Sequence, residues 1–420
     1  MFRLIALASL VALAGCHRQA SAPGDAPGNF KVEPGDGVVT VSWDQQPGLT
    51  YWIFFQAGGT VTAGSPAAPL IFDAQSPRVI GPLANGSQFA FVMNATNHDS
   101  RGGPSTPVVS AVPRLAGATW TSGAPLGSPP QNLNGVAYGG ALNRIVAVGD
   151  AGSFFAGDFN YTSANPPGVT AWTQPTSIPT GFVSELSAVT SDGSQFIALG
   201  TDGSIVKSTD GNAWASAASI PNNSATMNGL AFGLVSSVPT YVAVGDGGSI
   251  FTSTDLATWT PAAASNTTSN LYSVSFPKDT FIATGADGTL LTSTDASTWT
   301  PRISNPPTSN ALRGAAFGTG STAAGATYVV VGDAGTILTS IDGTNWTPPI
   351  TPPPPSQSLR SIAFGSRFVA VGLGGAVAFS DDGTNWQPSS VAGSPDLSAV
   401  VSTPGMYVAV GALGANAVSK

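Results

Sequence analysis

Residues able to do acid, base, nucleophilic or metal chemistry are few in this chain. Among 420 residues there are two histidines, His17 and His98, and one cysteine, Cys16. That count removes disulfides, cysteine-based zinc clusters, cysteine nucleophiles and most imidazole chemistry. Carboxylates remain, and the only glutamates are Glu33 and Glu185. Five aspartates, Asp150, Asp202, Asp246, Asp287 and Asp333, recur behind a glycine at wide and similar spacing, and two arginines, Arg313 and Arg360, occupy matching places in consecutive copies of that pattern. Such a set can hold a carboxylate or a carbonyl; it does not spell out a metal site, and no cofactor is called for. Lys plus Arg number 14 against 22 Asp plus Glu, a net charge of −8, which argues against nucleic acid and against an electrostatic grip on an anionic membrane. Charged residues make up 9 % of the chain where about 25 % is usual. With 51 glycines and 34 prolines, the composition suits short strands joined by tight turns and leans toward a binding protein.

The elements that would position these residues begin after residue 27. Residues 1–15 carry one charge, Arg3, then the apolar run Leu4 to Leu13, which is too short to span a hydrocarbon core of about 30 Å. With Leu13-Ala14-Gly15-Cys16 the segment resembles a bacterial lipoprotein signal. The resemblance implies lipidation of Cys16, an anchor in the membrane through acyl chains and, because His17 rather than Asp follows, an outer-membrane location facing the periplasm or the surface. Residues 16–27 read as a flexible tether. From residue 28 to 113 the pattern alternates with period two, in Val38-Val39-Thr40-Val41-Ser42-Trp43, Tyr51-Trp52-Ile53-Phe54-Phe55, Phe89-Ala90-Phe91-Val92-Met93 and Val108-Val109-Ser110-Ala111, as in a β-sandwich. This run resembles a fibronectin type III module with Trp43 as core tryptophan and Phe89 in place of the corner tyrosine, which implies a spacer or interaction unit.

The remainder, 118–420, is a repeat. Gly149, Gly200, Gly245, Gly285, Gly332, Gly372 and Gly411 open successive copies of a glycine-rich turn, a spacing of about one propeller blade of four short strands. Trp172, Trp214, Trp259, Trp299, Trp346 and Trp386 end six units, whereas the seventh, from Leu397, stops after three strands. Ala118-Thr119-Trp120-Thr121 has no strands of its own and supplies the missing one. The expectation is an all-β chain: a sandwich, then a seven-bladed β-propeller closed by the N-terminal strand 118–122 in its last blade.

Turns such as Ser293-Thr294-Asp295-Ala296-Ser297-Thr298-Trp299 and Ser340-Ile341-Asp342-Gly343-Thr344-Asn345-Trp346 resemble the Asp-box, or bacterial neuraminidase repeat, of sialidases, sortilin-type receptors and photosystem II assembly-factor propellers, shortened by one residue. Their Asp and Trp are structural by physical argument: the carboxylate takes turn amides and the ring fills the space between blades. Strand direction puts these turns on one face and the second residue of each inner strand at the other, around the channel: Asn134, Ser187, Asn228, Tyr272, Arg313, Arg360 and Ser398. Arg313, Arg360 and Tyr272, with Asn134, Asn228, Asp150, Asp246 and Asp333 around them, are the candidate contacts for a protein or glycan partner in the cell envelope. The plainer alternative is that the aspartates cap their hairpins and pair with the arginines. A monomeric, non-catalytic scaffold is the preferred reading. A sialidase-like or other glycoside hydrolase, for which Glu185 would be the only propeller glutamate, and an assembly factor for a membrane complex are the alternatives.

Overall fold

A computed structural model describes residues 21–64, 68–97, 102–162, 165–169, 171–180, 182, 184–221, 224–319, 326–349 and 356–419. The leader, Cys16 with its lipidation, His17, His98 and the proline run 352–355 lie outside the described residues. Within them the chain is all-β, strands interrupted by 3-10 turns, and no helix there is long and apolar enough to cross a membrane.

The described chain divides into two compact units, one drawn mainly from residues 40–78 and 87–112, the other comprising residues 113–420 with the short segments 34–39 and 79–86. In the first, Thr50–Ala57 pairs along its length with Phe89–Thr96, flanked by Leu70–Ile71 and Val109–Ala111. Trp43 is buried and stands 5.4 Å from the ring of Tyr51. Phe89 sits in the ladder between Ala57 and Ala111.

In the second unit antiparallel sheets follow one another along the chain, and the unit is a β-propeller. Their innermost strands are Leu133–Gly139, Leu186–Ser191, Met227–Val235, Leu271–Ser275, Leu312–Thr319, Leu359–Phe364 and Leu397–Thr403. Each packs against the next, and the last packs against the first. Second strands such as Phe196–Gly200 and Phe368–Gly372 are buried at every residue, because a neighbouring sheet lies on either side, and this is why they read as unbroken apolar runs instead of alternating ones. The turn that follows each second strand is glycine-rich for a steric reason. A Cβ on Gly245 would lie 2.3 Å from the carbonyl oxygen of Thr226, and one on Gly248, at φ +73, would lie 2.1 Å from that of Thr267. The incoming and outgoing connections of the blade thus press on the turn from both sides.

The turns between third and fourth strands build themselves around one oxygen. Asp295 Oδ1 accepts the amides of Ser297 and Thr298, each at 2.8 Å, and the Ser293 hydroxyl; Asp210, Asp255, Asp342 and Asp382 repeat the pattern. The tryptophan four residues on is buried, and in most copies its indole N–H donates to the carbonyl three residues back, as Trp299 does to Ala296 at 3.2 Å. Burying roughly 200 Å² of ring contributes up to about 5 kcal/mol as an upper bound. Two sheets depart from the pattern. In the first, the third strand runs on to Thr162 and folds back through Asn165–Val169, so a hairpin stands where the next five sheets have an Asp turn; Thr173, after Trp172, still bridges Ala156. In the fifth, Thr347 bridges Thr339 but no further strand forms, because Pro348 and Pro349 have no N–H to continue the ladder.

The last sheet is completed from the beginning of the unit. Thr121–Ser122 pairs with Asn416–Ser419 in the register Ala417 to Ser122 and Val418 to Thr121. Ser419 is buried, its hydroxyl accepting the Gly117 amide at 2.7 Å and donating to the Thr119 carbonyl. Asn416 Nδ2 donates to the Ala124 carbonyl at 2.6 Å. Trp120 donates its indole N–H to the carbonyl of Gly117, three residues back, at 3.0 Å and packs on the cluster that holds Val369, Tyr407 and Ala417. It therefore behaves as the other turn tryptophans do, although its partner strands lie some three hundred residues away in the chain.

Two outcomes follow from this packing. Removing residues 416–420 strips the ladder from Thr121–Ser122 and exposes the edge at Val410; calorimetry should show the propeller's melting temperature falling by about 6–12 °C, for a loss on the order of 3 kcal/mol, and an unchanged transition would refute the closure. The Asp turns make the fold acid-sensitive. Burial alone would raise Asp382, but the amides of Asn385 and Thr384 outweigh it and hold the carboxyl at about 2; the amides of Thr298 and Ser297 lower Asp295 despite partial burial, and those of Asn345 and Thr344 lower Asp342. Because the folded values lie below the unfolded ones, this stabilisation is complete above about pH 5 and is lost as pH falls through the unfolded and then the folded values. Melting temperature should stay level down to about pH 5 and drop steeply below it, and Asp382→Asn should lower it at neutral pH while making the acid limb shallower.

Candidate functional site

Every inner strand carries an irregularity in one place. Leu133 pairs with Gly149 and Gly135 with Val148, so Asn134 is skipped. The same skip falls on Ser187, Asn228, Tyr272, Arg313, Arg360 and Ser398. A residue left out of the ladder is a β-bulge, which turns its side chain away from the sheet direction. All of these side chains are half-buried and line a common cavity of ≈ 210 Å³ in the channel. A second cavity of ≈ 430 Å³ shares Asn134, Asn228, Tyr272, Arg313, Arg360 and Ser398 with it and adds Asn132, Leu373, Asp396 and Ala412.

Within a blade the bulge residue reaches for the aspartate of its own turn. Asn134 Nδ2 donates to Asp150 Oδ1 at 2.8 Å and to the Leu186 carbonyl of the next blade at 3.0 Å; Asn228 does the same with Asp246 and Leu271, both at 2.9 Å. Asn132 takes the other Asp150 oxygen at 2.9 Å. Arg313 grips Asp333 with two nitrogens, Nη2 at 2.9 Å and Nε at 3.2 Å, a bidentate geometry, and its guanidinium lies 4.2 Å over the centre of the Tyr272 ring. Asp202 and Asp287 do not occupy this place. Asp202 accepts Ser184 and Ser204, and Asp287 is the middle residue of its turn at φ 54.

Arg360 is the exception. The turn of its own blade reads Leu373-Gly374-Gly375, so no carboxylate waits for it. Its nearest is Asp333 of the preceding blade, Nη1 to Oδ1 at 3.8 Å, and Arg313 already holds that group. Burial and the neighbouring Arg313 charge both lower the Arg360 pKa, opposed by Asp333, Asp396 and Tyr272. Burial alone would raise Asp333, but the Arg313 hydrogen bond and the charges of both arginines outweigh it and keep the carboxyl below its ordinary range. Two guanidinium groups thus share one carboxylate, and among the described residues Arg360 has no hydrogen-bond partner of its own. What the arrangement can do is accept an anionic or carbonyl oxygen beside Arg360, with the Tyr272 ring and Leu373 as apolar neighbours. The carboxylates Asp150, Asp246 and Asp333 are each engaged by a side chain, the first two by asparagines and the third by Arg313. Asp396, whose Oδ1 accepts the Gly374 amide at 2.7 Å, and Asn132 were not anticipated; their signal is the position just before the first apolar residue of an inner strand. Among the described residues no cluster of His, Cys, Asp and Glu is arranged to hold a metal ion.

No protein-family model matches the sequence, and no curated protein matches it. Similar solved structures include a streptogramin B lyase (TM-score 0.57, 12 % identity, 72 % of this chain and 97 % of that one) and YCF48 bound to a D1 peptide (0.52, 16 %, 71 % and 96 %). YCF48 from Cyanidioschyzon merolae gives 0.48 at 18 % identity, over 72 % and 98 %. At such identities the likeness is one of fold, and that fold is the β-propeller.

Proposed function

We propose that this chain is a non-catalytic binding protein that holds a segment of a protein partner at the channel mouth, in the manner of an assembly or scaffold factor. The observation that carries the reading is Arg360, a half-buried guanidinium without a carboxylate in the channel-side turn of its own blade and pressed by the like charge of Arg313. An acidic side chain or carbonyl of the partner would relieve that repulsion and complete the bonding. The similar structure of YCF48 holds a D1 peptide, which shows that a propeller of this kind can serve a peptide in that protein. A similar structure that is a lyase means that the fold does not by itself decide against catalysis; here the turn carboxylates of the mouth are occupied by Asn134, Asn228 and Arg313, which leaves them poorly placed as acid and base.

The reading includes three further parts. The ring is taken as a seven-bladed propeller, supported by the succession of inner strands and by the pairing of Thr121–Ser122 with Asn416–Ser419. Residues 28–113 are taken as a fibronectin type III-like spacer, supported by the strand pattern and buried Trp43. Cys16 is taken as a lipid anchor in the cell envelope, on its sequence context alone.

Crosslinking from intact cells followed by mass spectrometry should capture one dominant protein through the mouth, and the double variant Arg313→Ala/Arg360→Ala should reduce that capture about tenfold or more with little change in melting temperature. Undiminished capture would remove the site. Independently, Cys16→Ser should move the protein from the detergent phase to the aqueous phase on phase partitioning; if the variant and the native chain partition alike, there is no anchor at Cys16.

A further inference from the structure

On the face opposite the channel mouth, the Asp turns of the fourth and fifth blades border a cavity of ≈ 510 Å³, within the range of about 300–1,000 Å³ usual for small-ligand sites. Its distinguishing residue is Arg302. Three places after each turn tryptophan the other blades carry Ala217, Ala262, Pro349 or Ser389; only here does a cation stand. Arg302 Nε donates to the Thr292 hydroxyl at 2.8 Å, which fixes the guanidinium plane, while its two terminal nitrogens have no partner among the described residues. Across the cavity, all three hydrogen bonds to Asp295 fall on Oδ1, leaving Oδ2 open as an acceptor. The remaining wall is largely hydroxyl, with Thr294, Thr298, Thr300 and Thr344 exposed on it and the ring of Tyr328 lining it.

We propose that this cavity is a binding site for an uncharged carbohydrate, a pyranose with neighbouring free hydroxyls. The argument is one of matching. A sugar hydroxyl both donates and accepts, and this wall offers a fixed double donor in Arg302, an open acceptor in Asp295 and threonine hydroxyls that can play either part. Asp295 and Asp342 against Arg302 leave the cavity with a net negative charge, which disfavours an anion, and a cation, which accepts no hydrogen bond, would leave the Arg302 donors unmatched. A peptide would need recesses for apolar side chains, and Tyr328 is the only large apolar group in the lining. The threonines are β-branched and sit on strands and on a turn braced by its own aspartate, so little freedom is lost when a ligand arrives.

The test is saturation-transfer NMR on the full chain with methyl α-glucopyranoside, methyl α-galactopyranoside and methyl α-mannopyranoside, and with sulfate and glucuronate as charged probes. At least one methyl glycoside should bind with a dissociation constant in the millimolar range, better than either anion. Arg302→Met should weaken it about tenfold or more. Thr300→Val, a change at an exposed position that leaves the turn intact, should weaken it several-fold and serves where the arginine variant is poorly folded. Absence of binding by all three glycosides at tens of millimolar, equal binding by the variants, or a preference for sulfate or glucuronate would each overturn the proposal.

Discussion

A strand that leaves one residue out of its ladder must send that side chain somewhere other than up or down, and in this propeller every inner strand does so at its second residue. The skip places Asn134, Ser187, Asn228, Tyr272, Arg313, Arg360 and Ser398 at one level of the channel. It works only because the ring around it is closed. The contact of Leu397–Thr403 with Leu133–Gly139 brings the last of these residues beside the first, and that contact is secured at the rim where Asn416–Ser419 takes Thr121–Ser122 as its outer neighbour. The bulge sets the direction of the side chains and the closure sets the circumference they share.

Much of this was legible in the chain. The glycine turns and tryptophans are forced by close approach, such as that of Gly245 to Thr226 and Gly248 to Thr267, so they recur wherever the geometry recurs and announce it. Trp120 was legible by strand counting: it stands on a segment with no strands of its own, while the unit from Leu397 has three strands and takes Thr121–Ser122 as its neighbour. The positions of the mouth residues followed from strand direction. Their bulges did not, since a skip in pairing depends on two strands at once and leaves no mark on either alone. The hairpin inserted at Asn165–Val169 and the fifth blade's missing outer strand were hidden in the same way, behind a tryptophan that stays in place while the chain around it changes.

The two faces use their aspartates in opposite ways. On the rim of the Asp turns each carboxylate serves its own backbone, and amides of the next few residues hold it ionised. At the channel mouth the turn aspartate serves a side chain of the same blade's inner strand. The first arrangement fixes a loop through one carboxylate oxygen; the second joins two strands of a blade through polar groups that face the channel, where a partner could compete for them.

A repeat that satisfies itself in this way has little to offer a ligand. Where the bulge residue is Asn and the turn residue is Asp, donor and acceptor meet and both are occupied. A free group arises only where one half of the pair changes without the other, as when Leu373 stands in the place of an aspartate and Arg360 is left to share Asp333. Arg302 is the same event on the other face, a cation introduced where the remaining blades have small or cyclic residues and where the local aspartate is already engaged on one oxygen. In such a chain the recurring motif marks the scaffold, and departures from it such as Arg360 and Arg302 mark where binding energy is available, because there the fold leaves guanidinium donors without a partner of their own.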